Sequence, residues 1–358
     1  MVKTFFILMN MKAIPTILVT LTSLAVMSSC CNDLPRASAE ELPCNISQFD
    51  QVFNDIWSEA CNELHNMMVV KDGKVIYEKY DTGHNADDLH ILWSVSKTFT
   101  ATAVGFAQQD GLLSINDKVL KFFEDEKPAE ISEWLEKMTV KDLLTMSSGF
   151  QDDFIGRSRS GVDFDWVRET LASPILFEPG TRFRYNSMDS YLLSAIVSKV
   201  TGMNMAEYLD GKLFKPLGIK DWEWKTSPQG YAAGGWGLYL TLESMAKMGQ
   251  FFLNKGTWKG KRLLNEAWFD EATKPQIYQY QGYISMEEAA ERFKNDESNQ
   301  GYGYQMWMCT HGAYRMDGAW GQLVIIVPEK NLVVACQAHN PNWNRFVKSV
   351  WTNIYNQL

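Results

Sequence analysis

The stretch WSVSKTFTATAVGFAQQDGLLSINDKV, residues 93–119, decides how the chain is read. From Lys97 to Asp110 it is a helical run rich in Ala, Phe and Val that stops at Gly111. Ser94-Val95-Ser96-Lys97 stands at the opening of that run, an S-x-x-K spacing. Residues three apart on a helix share a face, so the Lys97 ammonium can reach the Ser94 hydroxyl. A serine hydroxyl is a weak nucleophile until a base takes its proton. A lysine serves as that base only where burial lowers its pKa toward neutrality, and the apolar flanks Ile91-Leu92-Trp93 and Thr98-Phe99 can supply the burial. Free N–H groups at a helix start also favour developing negative charge. Alone the spacing is a weak sign, since about one or two S-x-x-K occur by chance in a chain of this length. Ser94 by itself reads as an ordinary serine at a helix start.

Working outward, Met67–Val70 and Val75–Tyr80 are β-like runs around Lys71-Asp72-Gly73-Lys74, and Asp-Gly between such runs predicts a hairpin. Residues from about 112 to 225 are mainly helical by pattern, broken by turns at Ser148-Gly149, Pro179-Gly180 and Gly202. Leu240–Leu253 is amphipathic, with Met245, Met248 and Phe252 on one face. Gln322–Val327 and Leu332–Ala338 read as strands, and Asn342–Leu358 carries Phe346, Val350, Trp351, Ile354 and Leu358 at helical spacing. The fold class is therefore α+β: an antiparallel sheet formed from both terminal regions, flanking helices, and a mainly helical insertion at about 98–227. Residues 51–358 are expected to form one domain.

Composition narrows the functions. The chain has 358 residues, 46% hydrophobic and 22% charged, with a formal net charge of −9. That excludes a disordered chain and argues against nucleic acid, whose phosphates need a basic face. There is no GxSxG elbow, no phosphate-binding loop and no strand–GxGxxG–helix unit; Gly234-Gly235-Trp236-Gly237 lacks the spacing. The five histidines form no HExxH and the six cysteines no CxxC, so neither a metal nor another cofactor is expected. Cys336, inside an apolar run, reads as a core thiol, while Cys44 and Cys61 could pair in an oxidising compartment. Ala13–Met27 is an apolar run after Lys12 that ends in Ser28-Ser29-Cys30, so residues 1–29 read as an export signal, with Met11-Lys12 as a natural start. Small residues before Cys30 resemble a bacterial lipobox, which would make Cys30 a lipidated residue and the lipid the chain's contact with a membrane. The expected location is periplasmic or on the outer membrane, with simple secretion as the alternative. Residues 30–50 read as a polar tether. Aromatic residues make 13% of the chain, an excess that points to rings beside the site.

The stretch 93–119 resembles the active-site helix of the serine β-lactamase and penicillin-binding-protein superfamily, more narrowly the class C β-lactamase-like serine hydrolases and esterases. Further similar segments follow in the family's order: VKDLLTMSSGF (140–150), EPGTRFRYNSMDSYLLSAIVSKVTG (178–202), AAGGWGLYLTLESMAKMGQFFLNKGTW (232–258), GYGYQMW (301–307) and GAWGQLVIIVPEKNLVV (318–334). The resemblance implies a β-lactamase/transpeptidase-like fold, with Ser94 as acylating nucleophile, Lys97 as its activator and Tyr185 as the tyrosine of the Y-x-N element that shuttles the proton. A phenol can do that only if the lysine's charge pulls its pKa down. The sequence departs from the element by reading Tyr185-Asn186-Ser187; Asn186 could substitute sterically, although its side chain should point elsewhere. Where the family carries K-T-G, the match falls at Ala319-Trp320-Gly321, without the cation that holds a substrate carboxylate. The oxyanion hole needs only backbone donors, Ser94 N–H and the strand N–H near Gln322. Trp93, Asn186, Ser187, Trp236, Ala319, Trp320 and Gly321 are expected to line the substrate site.

These readings predict an exported serine hydrolase that forms an acyl-enzyme on Ser94 with a small-molecule ester, amide or other acyl substrate. Two alternatives stand beside it: an acyltransferase passing the acyl group to an alcohol or amine, and a non-catalytic protein that binds cell-wall peptides. Asp152 and Asp153 read as solvated loop acids, and Tyr302, Tyr304 and Trp307 as sheet core.

Overall fold

The computed structural model describes residues 33–57 and 63–358. Its strands are β1 (Glu63–Lys71), β2 (Lys74–Tyr80), β3 (His90–Ile91), β4 (Glu223–Trp224), β5 (Leu238–Leu240), β6 (Thr257–Trp258), β7 (Lys261–Arg262), β8 (Trp307–Met308), β9 (Tyr314–Gly318), β10 (Gln322–Val327) and β11 (Leu332–His339). Six of them form one sheet in the order β2-β1-β11-β10-β9-β8, every neighbouring pair antiparallel. Strands from both ends of the chain meet where β1 pairs with β11, Val69 opposite Val334. The predicted hairpin is present: Asp72 and Gly73 both have positive φ, 51° and 78°, as a two-residue turn matched to strand twist requires.

The apolar runs of β10 and β11 are buried on both faces. Leu323, Ile325 and Val327 face a layer holding Phe53, Ile56, Phe346 and Val350, from the helices Asp50–Trp57 and Trp343–Asn353. Val324 and Ile326 face the opposite layer with Phe99, Met245 and Met248, from the helices Ser96–Gln109 and Leu242–Leu253. The second contact is close, because a Cβ on Gly249 would lie 2.5 Å from Val333 Cγ1. The helical insertion packs against this second layer. Its long helix Ser187–Thr201 is capped by the Asn186 side chain, which accepts from Met188 N–H, and ends at Gly202 with φ 70°.

The tether reading is corrected over the described part of residues 30–50. Leu34 and Phe49 are buried. Ala37 N–H donates to Val75 O at 2.9 Å and Val75 N–H to Pro35 O at 2.8 Å, while Arg36 pairs with Glu78 and Glu243. The physical reason is that β2 is the sheet's edge strand, and an uncovered edge exposes unpaired backbone groups. The predicted signal at 1–29, the lipidation site Cys30 and the Cys61 half of the suggested disulfide lie outside the described residues. Cys336 is buried in the sheet. Among the described residues no helix is long and apolar enough to cross a membrane.

Candidate active site

Ser94 stands in a tight turn, Trp93–Val95, that runs into the helix Ser96–Gln109. Trp93 takes a left-handed φ of 49°, unusual for a bulky residue. The turn is pressed against the end of β9: a Cβ on Gly318 would meet Leu92 O at 2.3 Å and Val95 N at 3.2 Å. Glycine there lets the two backbones touch, and Ser94 is left half-buried at the contact.

Lys97 is buried within the first helical turn. Its Nζ lies 3.3 Å from Ser94 Oγ, 2.6 Å from Gly235 O and 3.4 Å from Ser187 Oγ. Burial lowers its pKa from 10.5 to about 7, against the opposing pull of Asp153 and Asp189. Near neutral pH a large fraction is therefore the free amine that a general base requires. The Gly234-Gly235 pair gains its reason here. A Cβ on Gly235 would sit 2.8 Å from Ser187 O and 3.2 Å from Lys97 Nζ, and one on Gly234 2.6 Å from Ser190 O.

Tyr185 lines the same cleft as Ser94 and is close enough for the serine hydroxyl to favour its ionised form, and Lys97 Nζ is 5.0 Å from the centre of its ring. Trp307 stacks on the Tyr185 ring, centres 5.6 Å apart. The expectation that lysine charge pulls this phenol down is overturned: burial pushes it well up, with Asp317 and Asp153 adding to the rise. A lysine that is itself half neutral offers little charge to hold a phenolate, so Tyr185 stays a hydroxyl able to donate. Ser187 reaches Lys97 from the third position of the Y-x-N element. Asn186 is turned away, as its predicted side-chain direction implied, and so does not line a substrate site. Its amide donates to Asp152 O at 2.9 Å while its carbonyl caps the helix.

Ser94 and Tyr185 open onto a cleft of about 370 Å³ whose walls include Trp307, Trp343, Asp317, Gly318 and Ala319, with Gln279, Ser298 and Asn299 from the 276–300 loop. Ala319 stands where it was expected; several other residues do not. Trp93 and Trp236 line a second hollow of about 380 Å³ that shares no residue with the first. Trp236 stacks on Trp166 there, and Trp93 lies under the Arg159 guanidinium, 4.4 Å from its ring centre. Trp320 is 44% exposed and its ring lies tilted against His339, centres 4.5 Å apart, and Gly321 is buried against Ala338 and Asn340. Gln322 is wholly buried, opposite Gly318 in the ladder, its amide donating to Ala338 O at 2.6 Å. The reason is register. β9 ends at Gly318, and positive φ at Trp320 and Gly321 then carries the chain away from the cleft, so the wall beside Ser94 is Asp317-Gly318-Ala319.

Four contributors were not anticipated. Asp153 accepts from Ser187 N–H at 3.0 Å and faces Lys97 electrostatically. Trp307 forms a wall behind Tyr185. Arg315 and Asp317 pair at 2.8 Å on β9. Only the period-two spacing of Arg315 and Asp317 was a readable hint, placing both on one face of a strand. Among the described residues no group of three or more His, Cys, Asp or Glu side chains is arranged to hold a metal ion.

A buried lysine against a serine, with a tyrosine beside them, is a set of groups that can activate a serine hydroxyl for acyl chemistry. Residues 65–358 match the family model described as Beta-lactamase, and the chain belongs to that family. It is 25% identical over 228 residues to the 6-aminohexanoate-dimer hydrolase of Paenarthrobacter ureafaciens, a match covering 59% of this chain and 57% of that protein. The chain thus spans about half the length of the curated relatives it matches. Among solved structures it resembles the octameric penicillin-binding protein homologue from Pyrococcus abyssi, with TM-score 0.65 and 19% identity over 87% of this chain and 78% of that one. It also resembles a D-stereospecific amidohydrolase from Streptomyces sp., with TM-score 0.65 and 15% identity over 88% of this chain and 100% of that one. The chain has a β-lactamase/transpeptidase-like fold.

Proposed function

We propose that this chain is an exported enzyme that cleaves an ester or amide through an acyl-enzyme on Ser94. The observation that carries the reading is the buried Lys97 amine 3.3 Å from Ser94 Oγ, with a pKa of about 7. Neutral Lys97 takes the hydroxyl proton as Ser94 Oγ bonds to the substrate carbonyl carbon. The negative charge on the carbonyl oxygen is met by backbone N–H groups of Ser94 and Ala319, the latter replacing Gln322 because Ala319 is the residue lining the cleft. As the bond to the leaving group breaks, the Tyr185 hydroxyl gives that group a proton and is refilled from Lys97. Water then attacks the acyl carbon by the reverse proton route, releasing acid and free Ser94. Residues 1–29 as export signal and Cys30 as lipid anchor complete the proposal, resting on sequence alone.

The test is fluorophosphonate labelling and ester turnover of the wild type and Ser94→Ala. Loss of both in the variant is expected; retained labelling and full turnover in Ser94→Ala would overturn the mechanism. A fluorescent penicillin followed over time separates the alternatives: release indicates turnover, whereas a permanent adduct with no ester hydrolysis indicates a binding protein.

A further inference from the structure

The charged pair on β9 gives the cleft a sign. Arg315 and Asp317 project from one face of the strand, two residues apart. Arg315 Nε donates to Asp317 Oδ2 at 2.8 Å and its Nη1 to Glu297 O at 2.9 Å. The guanidinium carbon lies 4.3 Å from the centre of the Trp343 ring and 5.6 Å from that of Trp307. The arginine side chain is 1% exposed and the aspartate 14%, so the cation is sunk beneath the carboxylate. Asp317 already occupies the Nε edge of the guanidinium that a substrate carboxylate would use. Asp317 Oδ1 has no hydrogen-bond partner among the described residues, and Asp317 is close enough to oppose ionisation of Tyr185. Lys97 is buried and does not line the cleft, and Gln279, Ser298 and Asn299, which do, are uncharged. Of the two charged residues that line this cleft, Arg315 and Asp317, the carboxylate is the more exposed, set among Tyr185, Trp307 and Trp343.

We propose that Asp317 selects substrates carrying an ammonium group close to the scissile acyl bond. This inference rests on the acyl-enzyme reading above and names its substrate class. A carboxylate in a confined, partly desolvated wall attracts a cation more strongly than it would in water, and aromatic faces accept ammonium groups. The same wall repels an anionic substrate, which gives selection in both directions.

The experiment uses methylumbelliferyl esters of three acids with one three-methylene spacer, ending in trimethylammonium, in its tert-butyl carbon isostere, or in carboxylate. A second pair, acetyl esters of choline and of its carbon isostere, places the charge on the alcohol side. In at least one series the cationic ester should exceed its neutral isostere in kcat/KM by about tenfold or more, with the carboxylate ester slowest. Asp317→Asn should collapse the ratio toward one. It keeps an oxygen that accepts from Arg315 Nε, and a ratio of two substrates on one enzyme cancels any general loss of activity. Ratios near one in both wild-type series, preference for the carboxylate ester, or a cation preference that survives in Asp317→Asn would each overturn the proposal. Because the wild-type ratios are decisive by themselves, poor folding of the variant does not shelter it. Fluorophosphonate labelling of Ser94 reports separately on the acyl-enzyme reading: labelled enzyme without cation preference sinks only the Asp317 assignment.

Discussion

The protonation state of Lys97 should govern the pH dependence of acylation, and the structure specifies its form. A pKa of about 7 leaves about half of the lysine neutral at pH 7, about a tenth at pH 6 and about 1% at pH 5. The logarithm of kcat/KM for a neutral ester should therefore rise by about one per pH unit in acid, bend near pH 7 and level by about pH 8. An exposed lysine of pKa 10.5 would instead keep climbing through about pH 10. The alkaline side carries a second expectation. Because burial, Asp317 and Asp153 push Tyr185 upward, the hydroxyl remains a donor and the plateau should persist to about pH 10. The assay is kcat/KM for an uncharged methylumbelliferyl ester from pH 5 to 10, with fluorophosphonate labelling of Ser94 over the same range. A rate still climbing tenfold per unit above pH 9, or one flat from pH 5 to 7, would refute the assignment of Lys97 as a buried base.

Other residues give equally definite expectations. Charged Lys97 penalises folding fully below about pH 7, and the penalty fades between about 7 and 10.5, where the unfolded chain still binds the proton. Lys97→Met should thus abolish turnover yet gain stability at pH 6 relative to pH 10, at most on the order of 5 kcal/mol; equal changes in melting temperature at both pH values would contradict this. Asp153 raises the Lys97 pKa, so Asp153→Asn should shift the acid limb of the pH–rate profile to lower pH, and a shift upward would be wrong in sign. Gly235→Ala puts a methyl 2.8 Å from Ser187 O, which should destabilise by about 1–3 kcal/mol and slow Ser94 labelling; native labelling and melting would show the contact to be unimportant. Trp307→Ala should lower kcat/KM by removing the support behind Tyr185. Trp236→Ala should cost about 3–5 kcal/mol of stability in denaturant titrations without changing the ranking of ester substrates.

What could be read in advance follows from how local the physics is. The Asp72-Gly73 hairpin, the buried runs of β10 and β11, and the Ser94–Lys97 spacing depend on neighbours within a few residues, where periodicity and turn chemistry act. The segment 33–49 misled because its polarity is that of a linker, whereas two apolar side chains, Leu34 and Phe49, and backbone pairing to Val75 are enough to fasten it. Asp153 looked like one of two solvated loop acids. Its partner, the N–H of Ser187, lies 34 residues away, and nothing in the loop announces that a helix start will be brought to it. Trp307 had the right alternation for sheet core, and its stacking on Tyr185 depends on where the helical insertion closes.

The cation that the family resemblance sought at Ala319-Trp320-Gly321 shows the same limit acting on chemistry. A glycine-bearing turn after a strand resembles itself under a shift of a few residues, and only the ladder decides which residues face Ser94; Gln322 opposite Gly318 places the wall at Asp317-Gly318-Ala319. In that register a cation is present after all, as Arg315. Its charge is tied to Asp317 Oδ2 and Glu297 O and sandwiched by tryptophan rings, so it steadies the wall instead of receiving substrate. The carboxylate-binding feature is altered: both charges line the cleft, and the negative group is the more exposed of the two. The aromatic excess acquires a location through the same register. Trp307 and Trp343 flank Arg315, Tyr185 stands beside Ser94, and Trp236 and Trp320 pack elsewhere, so only part of the excess falls beside the site.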